Sequence, residues 1–276
     1  MTSPTIAMIG AGNMGSSLIG GLIKNGHPKD RLWATDPSSE KLQYLKQTFG
    51  IHTAAHNPDA IEKADVIIFA IKPQVFADVA RSLSQIIHSK KPLIISIAAG
   101  IRIASIQSWC GDKLAIVRAM PNTPALIGCG ATGLYQNDHV TEGQRSTAES
   151  IMRSVGITVW LTQETLLDAV TALSGSGPAY FFYMMEAMQQ AAVDLGLPED
   201  SARLLTLQTA LGAARMALES GKPLDDLRHH VTSPGGTTER AIAIMQEHEL
   251  HEIYKKAIKA AKLHSEELAK KLGEKE

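Results

Sequence analysis

The stretch Ser233-Pro234-Gly235-Gly236-Thr237-Thr238 interrupts a C-terminal region that is otherwise helical in pattern, and its residue types suit the capture of an anion. Pro234 and the two glycines stop one helix, and a new helix is expected near Thr237 with Ala241, Ile242, Ile244 and Met245 on its apolar side. A glycine-rich helix start leaves backbone N–H groups unpaired and unobstructed, and the helix dipole favours negative charge there. A carboxylate could be held this way without an arginine. Ser233, Thr237 and Thr238 add hydroxyls able to donate or accept. The same residues also suit a plain interhelical turn capped by serine and threonine.

A second glycine-rich helix start, Gly10-Ala11-Gly12-Asn13-Met14-Gly15, follows the expected strand TIAMI at residues 5–9. In such a setting the first glycine permits a tight turn and the second lets backbone approach a pyrophosphate. The third allows the helix to pack closely on the strand. Three glycines could serve the turn alone, but their place at the first strand of an alternating α/β half favours a dinucleotide site. The second apolar run ends at Thr35-Asp36-Pro37-Ser38-Ser39. An acidic side chain at such a strand tip bonds the adenosine ribose and repels a 2′-phosphate, which points to NAD. If Asp36 lies just beyond the tip, Thr35, Ser38, Ser39 and Lys41 could instead hold a phosphate. Ala70-Ile71-Lys72-Pro73 and Met120-Pro121-Asn122-Thr123-Pro124 also follow apolar runs. They are expected at the carboxyl edge of the sheet, where open α/β folds bind ligands, although proline and asparagine also end strands for local reasons.

These stretches must be positioned by two unlike halves. Up to about residue 160, short runs rich in Ile and Val alternate with helix-length connections, as expected of a parallel sheet built from strand–helix–strand units. After Thr171 the chain turns to Ala, Leu, Met and Gln, punctuated by Gly196-Leu197-Pro198 and Gly221-Lys222-Pro223. That is a succession of helices and turns. Ser176 and Gly177 before Pro178 suggest a helix cap, and the helix that follows is apolar on nearly every face. A helix of this kind needs neighbours all round, and a subunit interface supplies them; the centre of a monomeric bundle is the other arrangement that does. The expected division is 1–162 for dinucleotide binding and 163–276 for a helical substrate and dimerisation domain.

Composition narrows the partners. The 276 residues carry 27 Lys and Arg against 28 Asp and Glu, so no charge field is built to gather nucleic acid or coat an acidic membrane. No apolar run is long enough to span a bilayer, and the N-terminus lacks the basic start of a secretory signal. Cys110 and Cys129 form neither a C-x-x-C pair nor a ligand cluster, which favours reduced thiols in a cytoplasmic setting and no metal. His229, His230, His248, His251 and His264 are expected at the surface rather than as ligands.

Taken in order, the stretches IGAGNMG, AIKPQ, SIAAGI, RAMPNTPALIG, SGSGPAY and SPGGTT resemble the motif set of the pyrroline-5-carboxylate reductases, from about Ile6 to the final helix. The resemblance implies an N-terminal Rossmann domain with a mostly parallel, doubly wound sheet, followed by an all-α C-terminal domain that interlocks in a homodimer, in some members assembled further into rings. It implies reduction of the cyclic imine L-1-pyrroline-5-carboxylate to L-proline, the last step of proline biosynthesis, with NADPH as cofactor and NADH as the alternative. Carried onto this chain, Gly10, Gly12, Asn13, Met14, Gly15, Thr35, Asp36 and Ser38 meet the pyrophosphate and adenosine, with Asn57 near the adenosine. Ala70, Lys72, Met120, Asn122 and Thr123 border the nicotinamide and its ribose. Ser233, Gly235, Gly236 and Thr237 hold the substrate, and Thr238 stands beside the imine nitrogen. Asp36 departs from the small hydroxyl residue of many members.

Two other functions share parts of this pattern. A 3-hydroxy-acid dehydrogenase of the 6-phosphogluconate type needs a helical lysine to deprotonate its substrate, and no lysine occurs between Ser174 and Gly221. A non-catalytic nucleotide-binding regulator would keep the first glycine motif without needing the second. Hydride transfer to an imine needs a protonated, electrophilic carbon and a well-placed nicotinamide, with no obligatory general base. The lack of a paired-carboxylate or Ser-His-Asp pattern agrees with this.

Overall fold

The computed structural model describes residues 3–273, which divide into two compact units: residues 3–176 with 260–273, and residues 177–259. The first unit is built on β1 (Ile6–Ile9), β2 (Leu32–Thr35), β3 (His52–Ala54), β4 (Val66–Phe69), β5 (Leu93–Ser96), β6 (Ile116–Met120), β7 (Gly130–Gln136) and β8 (Gly156–Trp160). They form one eight-stranded sheet in the order β3-β2-β1-β4-β5-β6-β7-β8. Every pairing is parallel except β6 with β7. The order reverses at β1, so the crevice between β1 and β4 is the switch point at which such sheets bind ligands.

Strict alternation explains how the central strands become wholly apolar. Ile6 and Met8 of β1, with Val66 and Ile68 of β4, face one layer of core that includes Leu18 and Leu22. Ala7 and Ile9, with Ile67 and Phe69, face the other, where Phe76 and Trp109 pack. The helices between strands are α1 (Asn13–Lys24), α2 (Ser39–Phe49), α3 (Asn57–Ile61), α4 (Pro73–Lys90), α5 (Ile103–Cys110) and α6 (Glu142–Arg153). Their ends follow local rules. Ser38 caps α2, which stops at a left-handed Gly50, and Thr141 with Gln144 forms a capping box on α6.

The sequence pattern shows six strands; β3 and β7 are additional. β7 reads GATGLYQ because its glycines are pressed by neighbours: a Cβ at Gly130 would stand 2.8 Å from the Val155 carbonyl, and one at Gly133 2.9 Å from the Val170 side chain. Short α7 (Leu166–Val170) supplies Val170 and runs into a π-turn over Thr171–Gly175. Ser176 does not act as the expected cap. Its backbone is helical and its N–H bonds the Thr171 carbonyl, because the π-turn carries helical backbone through this point.

The second unit contains α8 (Gly177–Asp194), α9 (Glu199–Ser220), α10 (Leu224–His230), α11 (Thr237–Glu247) and the start of α12 (Leu250–Gly273). α8 and α9 pack together, yet Phe181, Phe182, Tyr183, Leu204, Leu211 and Leu218 all remain exposed. A lone protomer therefore leaves much of this apolar surface in water. The last turns of α12 belong to the first unit, where Leu272 and Ala269 approach Gly100 and Ser265 bonds Asp168.

Candidate active site

The nucleotide-binding candidates converge at the carboxyl edge of the first unit's sheet. Gly10 turns out of β1 with φ +104°, and a side chain there would put its Cβ 2.5 Å from the Ala70 carbonyl oxygen. Gly15 sits equally close to the Gly10 carbonyl, at 2.5 Å. Gly12 differs: a Cβ built on it meets nothing within 4 Å, so its bareness leaves room above the loop rather than relieving a clash inside the protein. Gly12 is the N-cap of α1 and provides no side-chain cap, and the first turn, which begins at Asn13 and Met14, has no acidic residue. Open N–H groups, positive dipole and free space fit a pyrophosphate.

Asp36 is the first residue beyond β2, but its carboxylate does not point outward. Oδ2 accepts from the Ala11 N–H and Oδ1 from the Ser38 N–H, each at 2.9 Å. Lys41 Nζ approaches the same carboxylate to 3.4 Å. Asp36 is thus a latch that ties the glycine loop to the start of α2, with its acceptor sites already engaged. The expectation that this residue bonds the ribose and repels a 2′-phosphate assumed an outward carboxylate. The alternative expectation placed Asp36 just beyond the strand tip, leaving Thr35, Ser38, Ser39 and Lys41 to hold a phosphate, and Asp36 does follow the last residue of β2. Thr35 is buried and donates to Asn57 Oδ1 at 2.6 Å, so Asn57 braces the tip of β2.

Ala70 follows β4, its N–H bonded to the Ile9 carbonyl at 2.8 Å, and Lys72 is the N-cap of α4. Beyond β6, Thr123 opens a short 3-10 turn capped by Asn122. The Asn122 side chain is engaged: its oxygen accepts from the Ala131 N–H at 2.9 Å and its amide donates to the Ser174 carbonyl at 3.0 Å. It fixes the strand tip, and Met120 reaches toward Gly175.

Sequence reasoning missed the ion network behind this tip. Arg118, two residues before Met120, is 4% exposed and pairs with Glu164 at 2.8 Å. Arg102 pairs with Asp168 at 2.5 Å, and Asp168 also accepts from the Ser265 hydroxyl. Burial pulls the Arg118 guanidinium below its usual pKa, and Glu164 opposes that shift. The network fixes β6 from behind. Its signal in the sequence was only an arginine inside a strand, whose partner lies 46 residues away.

The SPGGTT loop lies in the second unit and joins α10 to α11. Gly235 is left-handed at φ +72°, and Gly236 is an N-cap without side-chain capping. Here the structure leaves fewer donors free than the sequence-based expectation of an anion site assumed. The Gly236 N–H bonds the Ser233 carbonyl at 3.0 Å, and the Gly235 N–H is taken at 2.7 Å by the Glu239 carboxylate. The remaining donors are the first-turn amides from Thr237 onward and the hydroxyls of Thr237 and Thr238. Glu239 was not foreseen; it is a carboxylate already sitting where a carboxylate was expected.

A glycine turn, a bare helix start and braced strand tips around one switch point, in a chain with a separate helical unit, define a dinucleotide-binding protein of the oxidoreductase class. A family model described as pyrroline-5-carboxylate reductase dimerisation matches residues 164–268, and one described as NADP oxidoreductase, coenzyme F420-dependent, matches residues 5–100. A pyrroline-5-carboxylate reductase of Pseudomonas aeruginosa is 47% identical over 99% of this chain and 100% of its own length. The structure of a pyrroline-5-carboxylate reductase from Coxiella burnetii superimposes with a TM-score of 0.93 at 45% identity, covering 96% of this chain and 98% of that one. That of the Plasmodium falciparum pyrroline carboxylate reductase, with NADP bound, gives 0.85 at 28% identity over 98% and 99%. The chain belongs to the pyrroline-5-carboxylate reductase family. No helix among the described residues is long and apolar enough to cross a membrane.

Proposed function

We propose that this chain reduces L-1-pyrroline-5-carboxylate to L-proline with NADPH, NADH being the alternative donor, as the last step of proline biosynthesis in the cytoplasm. The observation that carries the reading is the uncapped α11 start bearing Thr237 and Thr238, in a chain 47% identical to a reductase of this name. The reduced nicotinamide, when bound, supplies the hydride that adds to the protonated C=N carbon. The chain's residues do the rest. The open amides from Gly12 into α1 hold the pyrophosphate, while Thr35, Asp36, Ser38 and Asn57 shape the adenosine end. Ala70, Lys72, Met120, Asn122 and Thr123 shape the nicotinamide end. Ser233, Gly235, Gly236 and Thr237 form the carboxylate loop, with the α11 amides as its donors. The Thr238 hydroxyl bonds the ring nitrogen and orients it.

The same reading assigns residues 1–162 to dinucleotide binding and 163–276 to substrate binding and dimerisation. The exposed apolar faces of α8 and α9 support a homodimer, and assembly of dimers into larger rings is part of the proposal. Purified protein given pyrroline-5-carboxylate should oxidise NADPH and release one proline per cofactor consumed. Folded protein that binds cofactor but turns over neither NADPH nor NADH with this imine overturns the assignment.

A further inference from the structure

We propose that β8 is an interface strand: its free edge pairs antiparallel with β8 of a second copy of this chain, about a two-fold axis at Thr158, joining the two eight-stranded sheets into one. The proposal rests on the homodimer reading and adds a surface outside the matched segment 164–268.

β8 is the last strand of the sheet, so among the described residues one side of its backbone has no partner strand. The ladder shows which groups these are. The Val155 carbonyl accepts from Gly130 and the Leu161 N–H donates to Leu134, and the register pairs Ile157 with Ala131 and Val159 with Gly133. Backbone groups alternate along a strand, so Val155, Ile157, Val159 and Leu161 address β7. Gly156, Thr158 and Trp160 therefore present their N–H and C=O groups outward. An antiparallel two-fold pairing needs this spacing: Thr158 faces its own copy and exchanges two hydrogen bonds, while Gly156 and Trp160 exchange two more on each side of the axis.

The side chains fit the same occupant. Ile157 is 62% and Val159 55% exposed, on the face where Val170 of α7 already covers the neighbouring Gly133. The α7 helix lies inside the segment matched by the dimerisation model, so the uncovered apolar strip adjoins a part of the chain that the family model associates with dimerisation. Pairing about Thr158 sets Ile157 opposite Val159 of the second copy and merges two short strips. Exposed edges in monomers are guarded by brevity, charge, proline or a bulge. The opposite edge, β3, is only three residues long and carries His52 stacked on Trp33. β8 has five residues, GITVW, with no charge and no proline.

The test combines residue-resolved amide hydrogen exchange on the full-length dimer with the variant Thr158→Pro. The Thr158 N–H faces away from β7, so proline removes no ladder bond within the protomer. Paired edges make the Thr158 and Trp160 amides exchange slowly in the dimer. Thr158→Pro should raise the dimer dissociation constant about thirtyfold, the worth of two lost hydrogen bonds, by sedimentation equilibrium. Fast exchange at both amides in an intact wild-type dimer overturns the proposal, since a partner helix or another protein would then be what covers Ile157 and Val159. So does an unchanged dissociation constant in a folded Thr158→Pro protein. If that variant does not fold, the wild-type exchange pattern decides alone. A wild-type monomer at micromolar concentration sinks the homodimer reading and this pairing together, and imine reduction is scored separately by cofactor oxidation.

Discussion

The carboxylate of Asp36 faces inward, and replacing it with the isosteric amide, Asp36→Asn, separates a latch from a ribose ligand. In the native loop each carboxylate oxygen takes one backbone N–H at 2.9 Å. The amide can accept only one of them and must turn its own NH₂ toward the other. A hydrogen bond to a charged group is worth about 1.5–3 kcal/mol, and partial solvation of this loop puts the loss near the lower end, about 2 kcal/mol. For a unit of this size that is a fall in Tm of roughly 4–8 °C. A loosened glycine loop presents its amides poorly to any pyrophosphate, so kcat/KM should fall by about tenfold with NADPH and with NADH alike. The charge change itself favours NADPH only weakly. Two unit charges about 7 Å apart in water interact by roughly 0.6 kcal/mol, or about threefold. Steady-state rates with both cofactors and a thermal melt measure all three quantities. An NADPH-to-NADH ratio that rises more than about thirtyfold at unchanged Tm would refute the latch, because only an outward carboxylate meeting the cofactor's ribose end gives that result.

Thr238→Val keeps shape and removes the hydroxyl, so kcat should fall roughly a hundredfold with a smaller change in KM, and Thr237→Val should do less; native kcat in a folded Thr238→Val enzyme removes the loop from the chemistry. Glu239→Gln takes a negative charge from the α11 start, where that carboxylate holds the Gly235 N–H, and should lower KM for the imine carboxylate by about threefold; an unchanged or higher KM means that the substrate anion does not approach this helix start. Burial pushes the Cys110 thiol up from 9.0 to about 12, whereas Cys129 is exposed. One thiol should therefore react with a disulfide reagent in native protein at pH 8 and the second only on unfolding. Because the folded-state value is the raised one, the stability tied to a neutral Cys110 is fully present below pH 9 and is lost as pH climbs toward 12. Two fast-reacting thiols in the native state contradict this.

The parts of the fold visible in the sequence are those whose cause is local. β1, β4 and β5 are buried on both faces, so their apolar runs are continuous, and the glycine turn after β1 is demanded by contacts with the next strand tip. β7 escaped notice because the constraint on it comes from elsewhere: Val155 and Val170 press on Gly130 and Gly133, and two glycines dilute the pattern that marks a strand. β3 is three residues long and has no buried residue to give it a period. The return of α12 to the first unit rests on Ser265 reaching Asp168, 97 residues earlier, and no periodicity encodes such a contact.

The candidate site divides in the same way, between what backbone supplies and what side chains decide. Both proposed anion sites would be made chiefly of N–H groups at helix starts, and their requirement is the absence of side chains, which glycine spacing announces openly at Gly12 and at Gly235-Gly236. Which of those N–H groups remain free is set by carboxylates whose direction the sequence does not carry. Asp36 reaches back 25 residues to Ala11, and Glu239 folds four residues back onto Gly235. Each is an acidic side chain beside an anion site, and each is bonded to the backbone of the loop that forms it. At the first proposed site the engaged carboxylate ties down a loop through the Ala11 N–H, which is separate from the α1 amides proposed to hold phosphate, so it is expected to assist binding. At the second, Glu239 holds one of the loop's own glycine amides, so a substrate carboxylate arriving there meets a charge of its own sign. The same residue type, at the same kind of helix start, is therefore expected to act in opposite directions, and the Asp36 and Glu239 substitutions should move cofactor and imine KM values in opposite senses.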